Sequence, residues 1–406
     1  MRRFLIFIVL AGLMIFSNCA RKGTRQANKL VIWESYNDEE HAVFMQIVEK
    51  FKAENPGVEI EVQRIPFDGM EQKVLTALAS RSAPDIARVD YAFVAKLADK
   101  NGILPIEETE LTDIKDKVMP AALYSNFYRG KFYGLPDQTT CIALFYNKEI
   151  FKKKGIKNPP KTWEEFIEVG KKITDGRTYA FGMHNSLWWT FPFFFSYGAK
   201  FLSEDGKTCL LDSPEAVAAF SFKVDLYRKY KIEGGAWQSG AINPDAGFRN
   251  GKYAMIFNGP WSIKSLQEAK IPFGVALIPA GPAGSATTVG GTNMVIFHKE
   301  TKELALKFMK FLLTAEIQAF WANELGQIPL RFDALPLIDT IKNPYLPVFI
   351  EQMKYATPRP PHPNYSDIEL TFNAEMEAAL SGQKSPEQAL RDAVKKVNEK
   401  ILREVY

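Results

Sequence analysis

Lys29-Leu30-Val31-Ile32-Trp33 is a short apolar run of the kind that forms a buried strand. A helical pattern follows from about Asp38, with Glu39 and Glu40 in its first turn, where the helix dipole favours negative charge, and Phe44, Ile47, Val48 and Phe51 on one face. Asn55-Pro56-Gly57 turns the chain, and Val58, Ile60 and Val62 then alternate with polar neighbours as a half-buried strand requires. A second helical stretch carries Val74, Leu75 and Leu78, and Pro84-Asp85-Ile86-Ala87-Arg88-Val89 returns as a strand. Strand, helix and strand at this spacing predict an α/β fold with a mostly parallel sheet flanked by helices.

A second set of elements starts near Leu144. Ile142 to Tyr146 reads as a strand, and Lys148 to Lys154 as a short helix stopped by Gly155. Thr162 and Glu165 form a capping box after Pro159-Pro160. Ser213-Pro214 opens a helix to about Tyr230, and Ser385-Pro386-Glu387-Gln388 caps the last one, which runs to about Glu404. Strands are expected at Ala254–Phe257, Phe273–Ile278 and Met294–Phe297, with a surface loop over Pro279–Gly284. At 406 residues, two domains of this kind are expected.

The N-terminus concerns destination rather than fold. Arg2 and Arg3 precede an apolar run from Phe4 to Phe16, then Ser17, Asn18 and Cys19. A basic start, an apolar stretch of this length and a processing site describe an export signal over residues 1–19. The position of Cys19 looks like a lipoprotein signal, in which that cysteine carries the lipid, with ordinary cleavage as the alternative. Residues 20–28 then serve as a flexible tether.

Composition excludes several classes. The balance of 51 basic against 47 acidic residues gives no basic face for nucleic acid, and Lys152–Lys154 and Lys395-Lys396 read as solvated helix ends. His41, His184, His298 and His362 show no metal-ligand spacing, so no metal and no cofactor are expected. Cys141 and Cys209 read as separate, partly buried thiols. No Gly-x-Ser-x-Gly elbow, phosphate-binding loop, His-Glu-x-x-His motif or singled-out carboxylate pair points to an enzyme.

Three segments carry a more specific signal. The first is Tyr133-Gly134-Leu135-Pro136, continuing through Leu144-Phe145-Tyr146-Asn147-Lys148 to Thr162-Trp163-Glu164-Glu165-Phe166. The second is Gly251-Lys252-Tyr253-Ala254-Met255 to Asn258-Gly259-Pro260-Trp261. The third runs from Gly290-Gly291 through Ala305, Phe308 and Phe311-Leu312 to Gly326-Gln327-Ile328-Pro329. In order and spacing they resemble the extracellular solute-binding family 1 of ABC importers, which includes maltose-binding protein. The resemblance implies a two-lobed periplasmic-binding-protein fold, each lobe a mostly parallel sheet flanked by helices, joined by crossover strands. Crossings are expected near Pro136–Cys141, Gly290–Asn293 and Pro344–Tyr355. One lobe then comprises 29–138 plus 291–345, and the other 139–290 plus 346–406. The family closes these lobes around a ligand and presents it to the permease subunits of an importer. A monomer outside the cytoplasmic membrane, binding a carbohydrate, is the expectation; a polyol phosphate such as glycerol 3-phosphate is the alternative ligand.

Sugars present C–H faces that stack on aromatic rings and hydroxyls that demand planar hydrogen-bonding groups. Trp261, at a strand-to-helix turn, is where the resemblance places a tryptophan against the sugar. Trp33 and Tyr36 at the end of the first strand, and Asp90 at the end of another, lie where parallel-sheet ligands sit. Asp137, Gln138 and Thr139 fall at the first crossing, and Gly290, Gly291 and Asn293 at the second. Trp188 and Trp189 point about 100° apart on a helix, so one is expected to line the cleft while the other packs. Trp237 on a loop, Arg331 after Pro329, and Tyr365 before the penultimate helix complete the candidates. Arg331 and Arg88 are the cations that a phosphate ligand would need. Trp163 and Trp321 are assigned to packing.

Overall fold

The computed structural model describes residues 26–403. The predictions for the export signal, for Cys19 and for most of the tether fall outside the described residues. Among those residues no helix is long and apolar enough to cross a membrane.

The opening pattern folds as read. Strand β1 (Lys29–Glu34) leads into helix α1 (Asp38–Glu54), then β2 (Glu59–Arg64), helix α2 (Phe67–Ala79) and β3 (Ile86–Asp90). β1 lies between β2 and β3 and is parallel to both. Alternation along β1 divides its side chains. Leu30 and Ile32 pack with Phe44, Phe51 and Phe308, whereas Val31 and Trp33 pack with Val74, Ala87 and Val295 on the opposite face. α1 begins where it does because Asn37 caps it: Glu40 N–H donates to Asn37 Oδ1 at 2.8 Å, and Asn37 N–H donates to Glu40 Oε2 at 3.0 Å.

Two strands then carry the chain between the cores. β4 (Leu135–Cys141) starts among the first core and ends at Cys141, which packs with Phe145, Phe273 and Phe349. β4 feeds β5 (Ala143–Asn147), and later β6 (Tyr179–Gly182), β7 (Tyr253–Asn258) and β8 (Phe273–Ala276) join it in a four-stranded sheet, order β8-β5-β7-β6. The long strand β9 (Thr287–Ile296) returns, antiparallel to both β4 and β3, and β10 (Ala356–Thr357) pairs with its start. The pairing of β4 with β9 shifts register between Thr292 and Asn293.

The second sheet corrects one expectation, since only β6 and β7 in it are parallel and β5 runs antiparallel to both its neighbours. β5 arrives directly from the crossing strand β4, not by a helical crossover, so its direction is set by the point of entry. Leu144 packs with Trp163, Phe166 and Phe181 on one face of this sheet, and Phe145 with Phe273 and Ile256 on the other. Trp163 is fully buried and stacks on Phe193 at 5.0 Å, as packing requires. Cys141 and Cys209 are unpaired and buried.

Candidate functional site

Helix α3 (Leu187–Ser196) and the turn after β7 bring three tryptophans together. Trp188 and Trp189 meet edge to face at 4.8 Å, and Trp261 lies 6.2 Å from Trp188 and 6.3 Å from Trp189. All three are half-buried, and neither member of the helical pair is committed to the core alone. His184 stacks on Trp189 at 4.1 Å. Two glycines make room for the rings. A Cβ on Gly259 would fall 1.9 Å from Trp261, and one on Gly290 would fall 2.8 Å from Trp188. The first lobe reaches the cluster through Asn37, whose Nδ2 donates to the Trp261 carbonyl at 3.0 Å.

Beside this cluster a cavity of about 200 Å³ lies between β3 and α2 on one side and the segment after β10 on the other. Asp90 enters it from the end of β3, and Tyr365 and Glu369 enter from helix α4 (Tyr365–Ser381). Both Asp90 carboxylate oxygens accept from Arg359 Nη2 at 2.9 Å. Arg359 also lies over Tyr91 at 4.2 Å and Tyr365 at 5.1 Å. Burial opposes the charge on Arg359, but Asp90, Tyr91, Tyr365 and Glu369 together outweigh it and raise its pKa. Burial pushes the Glu369 carboxyl above its ordinary range, against the pull of Arg359. Glu369 Oε1 accepts from the Trp188 backbone N–H at 3.3 Å, which ties the cavity to the aromatic cluster.

The crossing strands hold a different arrangement. Arg88 Nε donates to Asp137 Oδ2 at 2.6 Å, Nη2 to Gln138 Oε1 at 2.8 Å and Nη1 to Ser35 Oγ at 2.9 Å. Tyr36 donates its hydroxyl to Asp137, Thr292 donates to Asp137 at 2.9 Å, and Gln327 Nε2 donates to Glu40 Oε1 at 2.6 Å. The guanidinium lies 4.1 Å over the Tyr36 ring. Burial disfavours its charge, yet Asp137, Tyr36 and Glu40 together outweigh burial and raise the Arg88 pKa.

Measured by position, then, the structure brings Trp188, Trp189, Trp261, Asp90 and Tyr365 to one place. Tyr36, Asp137 and Gln138 are instead taken up by the Arg88 network, because buried polar groups satisfy one another where water is excluded. Trp33 is corrected to the core: alternation turns it under α2, where its Nε1 donates to Gln63 at 2.9 Å. Asn293 is corrected likewise, because its amide is 1% exposed and bonded to Ser125 and Asn126. Gly291 has φ +139°, and a Cβ there would fall 2.1 Å from the Gln138 carbonyl, so it serves the close approach of two strands. Thr139, opposite it in register, is buried. Arg331 binds Asp333 and the Leu313 carbonyl beside Phe51 and Lys310, apart from the tryptophans. Trp237 packs edge to face on Tyr227 at 5.2 Å, outside the trio.

Arg359, Glu369, His184 and Phe67, the last a wall of the cavity, were not among the sequence's site candidates. Arg359 had one signal, its place between prolines in Pro358-Arg359-Pro360-Pro361, and Glu369 another, its position four residues after Tyr365 on one helical face. Among the described residues no cluster of three or more His, Cys, Asp or Glu side chains is placed to hold a metal ion.

Two lobes joined by paired crossing strands, with aromatic rings and buried polar groups between them, define a periplasmic-binding-protein fold built to hold a small solute. The chain belongs to the bacterial extracellular solute-binding protein family of ABC importers, whose model matches residues 37–319. That family binds its solutes and is not catalytic. The chain is 27% identical to the maltotriose-binding protein of Pyrococcus abyssi, over 93% of this chain and 82% of that one. Its fold matches the GacH receptor of Streptomyces glaucescens, solved unliganded and with acarbose, at TM-score 0.85 and 26% identity, covering 94% and 100% of the two chains. A solute-binding protein of Thermotoga lettingae bound with α-D-tagatose matches at TM-score 0.84 and 29% identity, covering 92% and 99%.

Proposed function

We propose that this protein captures a carbohydrate between its two lobes, outside the cytoplasmic membrane, and delivers it to the permease of an importer. The observation that carries this reading is the pairing of three half-buried tryptophans with a polar cavity tied to them through Glu369. Rings take the apolar faces of a sugar, and the neighbouring acid, guanidinium and phenol groups take its hydroxyls. Relatives that bind maltotriose, acarbose and tagatose support the same class of ligand. The proposal extends to the N-terminus, where an export signal ending at Cys19 would leave the chain lipid-anchored.

A polyol phosphate is the weaker alternative. The cations first considered for it are each engaged by a carboxylate, Arg88 by Asp137 and Arg331 by Asp333. The test is a thermal-shift screen of the mature chain against mono-, di- and oligosaccharides and glycerol phosphates. A ligand at a hundredfold excess over its Kd stabilises the folded state by about 2.7 kcal/mol. A shift with a sugar and none with phosphates supports the proposal; a shift with phosphates alone overturns it.

A further inference from the structure

Lys223, on the helix Pro214–Arg228, is 0% exposed, beside the equally buried Ala219 and Phe220. A buried ammonium is costly, and a methionine would fill the same space at less cost, so the bonds that Lys223 makes need a reason. Its Nζ donates to Thr190 Oγ1 at 2.6 Å and to Asn185 Oδ1 at 3.1 Å, both neutral acceptors. Thr190 in turn donates its hydroxyl to the Ser186 carbonyl at 2.7 Å. One ammonium therefore ties Asn185, Ser186 and Thr190 together, and Trp188 and Trp189 lie within the stretch that it ties.

The residues just before are fastened as well. Glu233, 1% exposed, accepts from the Met183 N–H at 3.2 Å and from the Gly235 and Ala236 N–H groups at 2.7 and 3.1 Å. His184, which stacks on Trp189, has its Nε2 3.4 Å from Asp245. Leu187 N–H donates to Asn373 Oδ1 at 2.7 Å. The entry to α3 is thus held by side chains from outside it, while the two indoles that it carries are only half-buried. An indole projects well away from its backbone, so a small rotation of this turn displaces the ring surface on which a sugar would stack, and a loosely supported site binds poorly.

We infer that Lys223 is a positioning residue for the ligand: its ammonium, acting through Thr190 and Asn185, sets the angle at which Trp188 and Trp189 are presented, and with it the affinity for a sugar. The inference rests on the carbohydrate reading and deepens it, since affinity then depends on a side chain with no surface of its own to offer the ligand.

The experiment compares Lys223→Met, Thr190→Val and the double variant with the parent chain. Three quantities are measured: the melting temperature, the exciton circular-dichroism signal of the closely spaced indoles, and the affinity for maltotriose and for tagatose by calorimetric titration. Lys223→Met should keep or raise the melting temperature, because an apolar side chain replaces a buried charge. It should nonetheless diminish the exciton signal and weaken sugar binding about fivefold. Thr190→Val should reproduce that loss, and the double variant should lose no more than either, as two groups acting through one bond must. Thr190→Val leaves the ammonium in place and keeps the question answerable if Lys223→Met fails to fold. A ring signal and affinity unchanged in the single variants, whatever happens to stability, would make Lys223 a core residue and overturn the inference, leaving the carbohydrate reading standing. So would losses that add in the double variant. If the parent chain binds no sugar, the carbohydrate reading falls, and the ring signal of the unliganded variants still decides the positioning: its survival in both overturns the inference.

Discussion

On the side of the six-stranded sheet, Arg88, Asp137, Tyr36, Gln138, Glu40 and Gln327 spend their hydrogen bonds on one another. On the side of the four-stranded sheet, Trp188, Trp189 and Trp261 stand half-buried at the lobe boundary, and the hydroxyl of Tyr365 has no partner among the described residues. The first arrangement is closed and shaped around the crossing strands. The second leaves ring surface partly exposed and a donor without a partner. On the proposed reading, the first set belongs to the frame and the second to recognition.

Four experiments strain this division, from the largest effect to the smallest. Arg88→Met removes the cation from a buried network and leaves Asp137 and Glu40 uncompensated. It should cost about 3–5 kcal/mol in chemical denaturation, and a loss below 1 kcal/mol would show that the network is not a frame.

The second concerns pH. In the lobe of the four-stranded sheet, Lys223 donates to Thr190 on α3 at 2.6 Å and to Asn185 at 3.1 Å, and Glu233 accepts from the Gly235 N–H at 2.7 Å. Burial lowers the Lys223 pKa to about 7, against the pull of Glu233. Burial also raises the Glu233 pKa to about 7, opposed by hydrogen bonds from Gly235 and Ala236. Glu233, raised, contributes stability at low pH that is lost as pH climbs from its ordinary 4.5 to about 7. Lys223, depressed, contributes stability at high pH that is lost as pH falls from its ordinary 10.5 to about 7. A dip in stability near neutrality is expected, with limbs approaching about 1.4 kcal/mol per pH unit. A Lys223→Met, Glu233→Gln double variant should flatten it in thermal melts taken across that range.

Third, Gly291→Ala places a methyl group against the Gln138 carbonyl at a φ that side chains rarely adopt. A loss of about 1–3 kcal/mol is expected, and full stability would mean that the strands part easily there. Last, Trp261→Ala should weaken ligand binding about tenfold, or 1.4 kcal/mol, with the fold intact by circular dichroism. If stability fell and affinity did not, Trp261 would belong with the frame.

Much of the fold was legible because periodicity is a local property. Phe44, Ile47, Val48 and Phe51 had to share a face of α1 whatever lay opposite, and all four are buried. Ser213, Ser385 and Thr162 each accept the backbone hydrogen bond their capping reading required. The antiparallel entry of β5 was not legible, since strand direction depends on where a distant connection ends. At the site, Trp261 and the Trp188–Trp189 pair were visible as aromatic residues at turns and helix starts. Trp33, Asn293 and Arg331 were equally visible as residue types and yet lie elsewhere.

What the sequence determined by itself, then, was the succession of strands and helices, their caps, and the family to which the three ordered motifs point. What only the tertiary structure decided was which polar and aromatic groups find partners. Asp90 meets Arg359 from 269 residues away, and Tyr36 meets Asp137 from 101. Periodicity acts over a few residues through backbone geometry, whereas satisfaction of a buried donor or acceptor depends on whatever segment packs against it.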